Sequence, residues 1–160
     1  MHKLLLGMLL STYLVTEAGQ YGRPYFISEE QSLEEQIREE IREGEKEELA
    51  ILVQAEAGNQ SLEGKRYVVD VVLNRVADPA FPDSIHEVIF QEGQFSVIND
   101  GAYDKACWTV TEECFEAVRL EMEMGEQLDY DVLYFSRGKS SYGTNWFKIG
   151  DHWFGSKKSE

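Results

Sequence analysis

One glutamate stands inside an apolar helical segment of this sequence and has the character of a general acid. Residues 45–57 are predicted to form a core helix with apolar residues on nearly every face, and within it Glu56 is the only acid between Glu48 and Glu63. A carboxylate among apolar neighbours costs free energy unless it is paired or used. Because burial raises the pKa of a carboxylic acid, such a group can protonate a poor leaving group. The alternative, which spacing alone favours, is an exposed acid on the last helical turn.

Ligands for a metal ion are sparse in the chain. There are two cysteines, Cys107 and Cys114, and three histidines, without a C-x-x-C pair or a His/Cys cluster. We therefore expect no metal and no cofactor. On one helix the two cysteines would lie about 10.5 Å apart, too far for a disulfide. Because Cys107 is predicted to precede the helix, a disulfide and two reduced core thiols both stay open.

Length and charge limit the class of protein. The chain has 160 residues, of which 42% are hydrophobic, so it can bury one compact core. It carries 15 basic and 30 acidic residues, a formal net charge of −15. Such a charge repels phosphate backbones and anionic lipid, so we expect neither nucleic acid nor a membrane surface as partner. The substrate is expected to be neutral or to carry some positive groups.

The first 18 residues have the pattern of a signal peptide. Met1, His2 and Lys3 precede a mostly apolar run over residues 4–15, and small residues stand at the −3 and −1 positions of a cut after Ala18. The apolar run is too short to span a bilayer. The alternative is a buried N-terminal segment or an uncleaved tail.

An acidic arm follows over residues 19–44. Residues 19–27 are predicted to be a linker, and residues 28–44 a helix with Ser28 as N-cap that ends at Gly44. Leu33, Ile37 and Ile41 form a narrow apolar stripe on this helix. We expect a solvated helix lying on its own domain, and a partner helix on the stripe is the alternative.

The remaining pattern predicts an α+β fold that is mainly helical, with a small C-terminal β element. Gly58 and Asn59 are expected to form a left-handed cap, and Ser61 to begin a helix that runs to about residue 76. The other predicted elements are a helix over 84–90 with a Ser84/Glu87 capping box, an irregular functional segment over 91–105, a helix over 109–126 with a Thr109/Glu112 capping box, and strands over 131–136 and 146–154.

Several short fragments stand in an order that is similar to one family. They are Ala55-Glu56-Ala57, residues 71–76 (VVLNRV), Phe81-Pro82, residues 88–90 (VIF), residues 93–96 (GQFS), residues 133–135 (LYF) and residues 149–154 (IGDHWF). Together they resemble the cell wall hydrolases of the spore cortex-lytic enzyme (SleB) type, over residues 49–154.

This resemblance implies a catalytic domain over residues 45–156 with a lysozyme-like, lytic-transglycosylase-like fold. It implies cleavage of peptidoglycan glycan strands between N-acetylmuramic acid and N-acetylglucosamine, with Glu56 as catalytic acid. A hydrolase needs a second carboxylate to activate water or to attack the sugar. A lytic transglycosylase needs only one, because the same carboxylate then takes a proton from the C6 hydroxyl of muramic acid, giving 1,6-anhydromuramyl products.

The sequence departs from the family after Ala57. Many members have Arg-Gly-Glu there, whereas this chain has Gly58-Asn59-Gln60, so a nearby second acid is an amide. The change favours the one-acid mechanism. Glu63 and Asp70 are the other candidates for a second carboxylate, although one is expected to cap a helix and the other to face solvent.

The resemblance also implies a glycan groove. Gln94, Phe95 and Ser96 are predicted to form one wall, and Tyr134, Tyr142 and Trp146 present flat rings suited to pyranose faces. His152 is the remaining candidate for substrate binding, and Asn74 and Arg75 are expected to brace the Glu56 helix. For each aromatic residue and for His152, core packing is the alternative.

Two other functions stay open at this point. One is a zinc-dependent amidase that cuts between muramic acid and the stem peptide, which would need both His86 and His152 as ligands. The other is a wall-binding or assembly module without activity. In every case the protein is expected to be secreted or associated with the cell wall, with a bacterial or a phage origin.

Overall fold

The computed structural model describes residues 29–125 and 127–158. The predicted signal peptide, the linker and the Ser28 cap therefore lie outside the described residues. Residues 29–36 fall in one compact unit and residues 37–158 in another. The elements are α1 (Glu29–Ala57), α2 (Leu62–Ala77), α3 (Ile85–Phe90), α4 (Ser96–Asn99), α5 (Ala102–Ala106), α6 (Glu112–Met124), β1 (Val132–Ser136), β2 (Thr144–Ile149) and β3 (His152–Ser156).

A single long helix replaces the two helices predicted on either side of Gly44. Glycine retains its backbone N–H, so it costs an interior helix position about 0.5–1 kcal/mol relative to alanine without breaking the hydrogen-bond ladder. Farther along α1, Leu49, Leu52 and Val53 are completely buried, and their burial stabilises the helix. The expectation that Gly44 ends a helix is therefore wrong.

The apolar stripe of the acidic arm is not covered by the domain. Ile37 is 48% exposed and Ile41 is 60% exposed. The expectation that this helix rests its stripe on its own domain is wrong at these two positions.

Helix α2 passes through the core. Its N-cap is Ser61 as predicted, with the hydroxyl oxygen accepting a hydrogen bond from the Gly64 N–H at 3.3 Å. The helix packs against α3, α6 and β1. Four valines on it are fully buried: Val68, Val69, Val71 and Val72. Burial on several sides explains how a β-branched run stays helical despite its strand propensity.

The corner between α1 and α2 does not contain the predicted left-handed cap. Neither Gly58 nor Asn59 has a positive φ. Instead the Gly58 N–H donates to the Gln54 carbonyl oxygen at 3.2 Å. A Cβ on Gly58 would lie 2.6 Å from that oxygen, so the tight turn at the end of α1 excludes a side chain at this position.

The segment between α2 and α6 is helical in short pieces. Helix α3 starts at the predicted cap, where the Ser84 hydroxyl oxygen accepts a hydrogen bond from the Glu87 N–H at 3.2 Å. Residues 91–105 are not entirely irregular, because they contain α4 and most of α5. The N-cap of α6 is Thr111 rather than Thr109, whose hydroxyl donates to the Lys105 carbonyl oxygen. The predicted capping box at 109–112 is therefore wrong.

The C-terminal β element is an antiparallel sheet with the strand order β1-β3-β2. Phe154 of β3 pairs with Phe135 on one side and with Phe147 on the other, so the three rings share one face. Tyr67 of α2 meets Phe154 edge-on at 5.5 Å between ring centroids. This inner face of the sheet closes the core against α2.

Both cysteines are free, with Cys107 exposed and Cys114 buried. Within the described part of the chain, no helix combines the length and apolarity needed to cross a bilayer.

Candidate active site

A cavity of about 600 Å³ opens where the end of α1, the residues before and within α4, and the first and third strands meet. Five of the residues predicted to act on substrate line it: Glu56, Gln94, Phe95, Ser96 and His152. Tyr134, Tyr142 and Trp146 are not among the lining residues.

Glu56 reaches the cavity from the last turn of α1 and is half-buried. Burial raises the pKa of its carboxyl group above the usual value, and the negative charge of Asp100 raises it further. The positive charges of Arg137 and Arg75 act in the opposite direction. No described residue donates a hydrogen bond to this carboxylate in the structure, so both oxygens are free for a substrate.

A clamp holds the end of α1 against the sheet. The Gln60 side-chain oxygen accepts a hydrogen bond from the Asp151 N–H at 2.9 Å, and its amide nitrogen donates to the Asp151 carboxylate at 3.1 Å. Gly150 beside it has φ +56°, and a Cβ there would lie 2.2 Å from the Gln60 oxygen. The clamp joins the corner after Glu56 to the β2–β3 turn just before His152.

Arg75 lines the cavity, whereas the sequence predicts only that it braces the Glu56 helix. It is 5% exposed, its Nε donates to the Leu133 carbonyl oxygen at 2.9 Å, and its guanidinium carbon lies 5.1 Å from the centre of the Phe95 ring. Burial lowers its pKa to about 10, so it stays charged at neutral pH. Its Nη1 is buried without a partner among the described residues. Arg75 thus supplies a fixed positive charge beside Glu56.

Asn74 braces the sheet rather than the Glu56 helix that it was expected to brace. Its side-chain amide donates to the carbonyl oxygens of Asp129 and Val132, at 3.0 and 3.1 Å. These bonds attach α2 to the start of β1.

The wall formed by residues 94–96 combines one buried and two exposed side chains. Phe95 is 3% exposed, with its ring 6.1 Å from that of Phe135. Gln94 and Ser96 are exposed at the cavity. Phe95 therefore shapes the wall, while Gln94 and Ser96 present hydrogen-bonding groups.

His152 lies at the base of the sheet wall and is 3% exposed. Burial lowers its pKa, and the nearby charge of Arg137 lowers it further. The imidazole is therefore neutral at pH 7. Its Nδ1 is buried and has no partner among the described residues.

Neither proposed second carboxylate lines the cavity. Glu63 is exposed on the first turn of α2, and Asp70 is fully buried, where its Oδ2 accepts the backbone N–H groups of Gln127 and Leu128. Asp100 is the acid that shares the cavity lining with Glu56. Its position in the segment singled out as a functional loop was the only sequence signal for it.

The three aromatic residues outside the cavity belong to another surface. Tyr142 is 75% exposed, while Tyr134 and Trp146 are partly exposed. Tyr134 pairs with Gly155, and Phe135 pairs with Phe154, so Tyr134 points away from the inner face of the sheet.

The histidines expected for a zinc site are not brought together in the cavity. His86 pairs with Glu48 of α1 at 2.9 Å and is not a lining residue, whereas His152 is. Across residues 29–125 and 127–158, no group of three or more His, Cys, Asp or Glu side chains is arranged to hold a metal ion.

Comparisons with known proteins identify the family and the fold of the chain. Residues 59–155, more than half of the chain, match the family model described as Cell Wall Hydrolase. The catalytic domain of the germination-specific lytic transglycosylase SleB from Bacillus anthracis is 25% identical with a TM-score of 0.60, over 70% of this chain and 93% of that one. The catalytic domain of the Bacillus cereus SleB protein is 25% identical with a TM-score of 0.62, over 71% and 91%. No curated protein matches the sequence. The resemblance and the mainly helical α+β fold predicted from sequence are both confirmed.

Proposed function

This chain belongs to the cell wall hydrolase family, and we propose that it cleaves peptidoglycan glycan strands as a lytic transglycosylase. Membership makes it a peptidoglycan-degrading enzyme that acts on the cell wall. The proposal concerns the bond and the products: cleavage between N-acetylmuramic acid and N-acetylglucosamine, with 1,6-anhydromuramyl ends. The observation that carries it is Glu56, a half-buried acid of raised pKa at the cavity between helices and sheet.

In the first step Glu56 acts as general acid. Its carboxyl proton moves to the glycosidic oxygen as the bond from C1 of muramic acid to that oxygen breaks, and the bonding electrons stay on the oxygen. N-acetylglucosamine leaves with a free hydroxyl group. Positive charge develops at C1, and Glu56 is left as a carboxylate.

In the second step the same carboxylate acts as base. It takes the proton of the C6 hydroxyl while that oxygen attacks C1, which closes the 1,6-anhydro ring and restores the acid. Proton and charge balance without a second carboxylate. Replacement of the family glutamate by Gln60, which here clamps Asp151, supports this version.

The charges around Glu56 suit both steps. Burial and Asp100 favour the protonated form needed first, while Arg75 and Arg137 favour the carboxylate needed next. General acid–base catalysis works best when the pKa of the group lies near the working pH. Burial moves the pKa of Glu56 in that direction, and the charges around it adjust the shift.

We assign substrate contacts to the cavity wall on the same basis. Gln94 and Ser96 bind sugar hydroxyl or N-acetyl groups, and Phe95 supports the wall from below. His152, which is neutral and buried, uses one ring nitrogen to hydrogen-bond the substrate. Arg75 lines the cavity and places its positive charge beside an oxygen of the bound strand.

A substitution at Glu56 tests the proposal, with a matched acid as control. Glu56→Gln removes the proton donor with little change in shape, so release of soluble fragments from purified peptidoglycan should fall by about 10²–10⁴-fold. Glu63→Gln changes an exposed acid outside the cavity and should leave the rate unchanged. An active Glu56→Gln enzyme would refute the proposal. Free stem peptides as products, lost with a chelator, would indicate the amidase, and binding without any cleavage would indicate the inactive module.

Two properties of the N-terminal residues, those of the predicted signal peptide and of the acidic arm, belong to the proposal as well. Residues 1–18 direct export, which mass measurement of the secreted chain tests.

The stripe containing Ile37 and Ile41 binds a partner helix. The flanks of that helix are basic, because residues 29–48 contain ten glutamates. Light scattering tests this binding, by comparing the wild-type chain and Ile37→Ser in complex formation with a wall-associated partner.

A further inference from the structure

The sheet places a tryptophan ring flat against two glycines on its outer side. A Cβ on Gly155 would lie 2.7 Å from Cδ2 of Trp146, and one on Gly143 would lie 2.8 Å from its Cζ2. Neither glycine has a positive φ, so close contact with the indole is what excludes a side chain there. The ring covers the glycines, and Trp146 is only partly buried, so part of the indole is open to solvent.

A bulge in β2 turns Trp146 into this position. The register of β2 against β3 shifts between Thr144 and Phe147, and Asn145 in the shift has φ +50°. Asparagine is among the residues that tolerate this left-handed region best. Bulges bend a strand and redirect its side chains, often beside functional sites.

Other aromatic and basic residues share this surface, which we call the outer sheet face. Trp153 pairs with Lys148 on one side and with Ser136 on the other, so all three point to the same side. The Lys139 amine lies 4.4 Å from the centre of the Trp153 ring. The outer sheet face comprises Tyr134, Ser136, Lys139, Trp146, Lys148 and Trp153.

The charge of this face differs from that of the rest of the molecule. Residues 132–156 contain three basic residues, Arg137, Lys139 and Lys148, and one acidic residue, Asp151. The whole chain has a formal charge of −15. A local basic surface on an acidic protein attracts groups that the remainder repels.

The outer sheet face is continuous with the cavity. Ser136 belongs to both, because it pairs with Trp153 and also lines the cavity beside Arg137. A polymer bound at Glu56 therefore reaches the outer sheet face by passing the end of β1.

We propose that the outer sheet face is a second binding surface for peptidoglycan, holding the strand away from the bond that is cut. The inference rests on the proposed function. The apolar CH face of a pyranose ring stacks on the exposed part of Trp146, and carboxylates of the stem peptides pair with Lys139 and Lys148. Aromatic rings combined with basic side chains bind a polymer that has both flat rings and anionic groups.

Sedimentation with insoluble peptidoglycan tests this inference. All variants are made in the Glu56→Gln background, so that bound polymer is not consumed. Trp146→Ala should weaken binding about tenfold, a loss typical of removing one aromatic stacking contact. Trp108→Ala removes a tryptophan that is 91% exposed elsewhere and should bind like the parent.

Lysine variants keep the test independent of folding defects at Trp146. Lys148 is exposed, so Lys148→Ala should fold normally, weaken binding several-fold and reduce its salt dependence. Lys105→Ala changes an exposed lysine on α5 and is the matched control.

The outcomes separate the inference from the proposed function. If the wild-type enzyme cleaves glycan strands while Trp146→Ala and Lys148→Ala bind as tightly as their controls, the inference is wrong and the proposed function stands. If the wild-type enzyme neither binds nor cleaves peptidoglycan, both are wrong. A change in oligomeric state with unchanged binding would assign the face to a second copy of the chain and overturn the inference.

Discussion

Burial raises the pKa of Glu56, and two charged neighbours of opposite sign, Asp100 and Arg137, adjust it and can be removed separately. The first step requires protonated Glu56, so kcat/KM should fall as pH rises through its pKa. Asp100→Asn removes a charge that raises this pKa, so the fall should move to lower pH. Arg137→Gln removes a charge that lowers the pKa, so the fall should move to higher pH.

The Asp100 variant also separates one-acid from two-acid chemistry. In a lytic transglycosylase Asp100 acts only through its charge, so Asp100→Asn should retain activity at the new optimum with the same products. If Asp100 activated water, its amide would lower the rate by about 10²–10⁴-fold at every pH. The pH–rate profile of fragment release, measured with its products, decides between these outcomes.

A second buried acid controls stability rather than catalysis. Burial raises the pKa of Asp70 to about 8, and contact with Glu121 raises it as well. Glu121 itself forms an ion pair with Arg66. Oδ1 of Asp70 and Oε2 of Glu121 are both buried without another partner, which fits one shared proton. The folded protein therefore holds a proton that the unfolded chain releases near pH 4.

That proton makes the free energy of unfolding depend on pH. The folded state binds more protons than the unfolded state between about pH 4 and 8, so stability should fall as pH rises through this range. Asp70→Asn keeps an acceptor for the Gln127 N–H and offers a donor to Glu121. Denaturant unfolding should show that Asp70→Asn loses much of the pH slope and is the more stable protein at pH 8. An unchanged slope would contradict the assignment.

At the level of elements, the connection between Glu56 and the sheet depends on an amide at position 60. Gln60 accepts from the Asp151 N–H and donates to the Asp151 carboxylate, a pairing that a glutamate cannot reproduce. Gln60→Glu would oppose two carboxylates about 3.1 Å apart. We expect a loss of about 1 kcal/mol in stability and a lower rate of cleavage.

Thermal melting and rate measurements of Gln60→Glu test this connection. Gln60→Ala serves as the control, because it removes the clamp without adding repulsion and should be less harmful. If Gln60→Glu were as stable as the wild type and more active, the amide would be a dispensable substitution and a second acid would aid catalysis.

Sequence reasoning succeeded for elements whose signals are local. The caps at Ser61 and Ser84 depend on residues three positions away, and the structure confirms both helix starts. It failed at Gly44, where burial farther along α1 outweighs a modest local cost. It also misplaced the start of α6 by two residues, because both Thr109 and Thr111 are suitable caps.

The site was only partly predictable, because local sequence signals do not report contacts between elements that are far apart in the chain. Glu56, Gln94 and His152 came from matching fragments, and all three line the cavity. Asp100 and Arg75 were missed as cavity residues because their roles depend on contacts between distant elements. The Gln60–Asp151 clamp spans 91 positions of the chain, which no local pattern indicates.

At the scale of the whole chain, charge is distributed unevenly along the sequence. Residues 29–48 contain ten glutamates and three basic residues, while residues 132–156 contain three basic residues and one acid. Stem peptides carry both amines and carboxylates, so a strand can meet each region with complementary charge. Binding to peptidoglycan should therefore weaken as the salt concentration rises, because salt screens the charge pairs at both regions.

The most direct test of the central claim is mass spectrometry of the fragments that the protein releases from purified peptidoglycan. The wild-type chain should release fragments ending in 1,6-anhydromuramic acid, and Glu56→Gln should release them about 10²–10⁴-fold more slowly. Ordinary reducing ends from the wild-type chain would contradict the one-acid mechanism. Anhydro products that Glu56→Gln releases at the wild-type rate would contradict the assignment of Glu56.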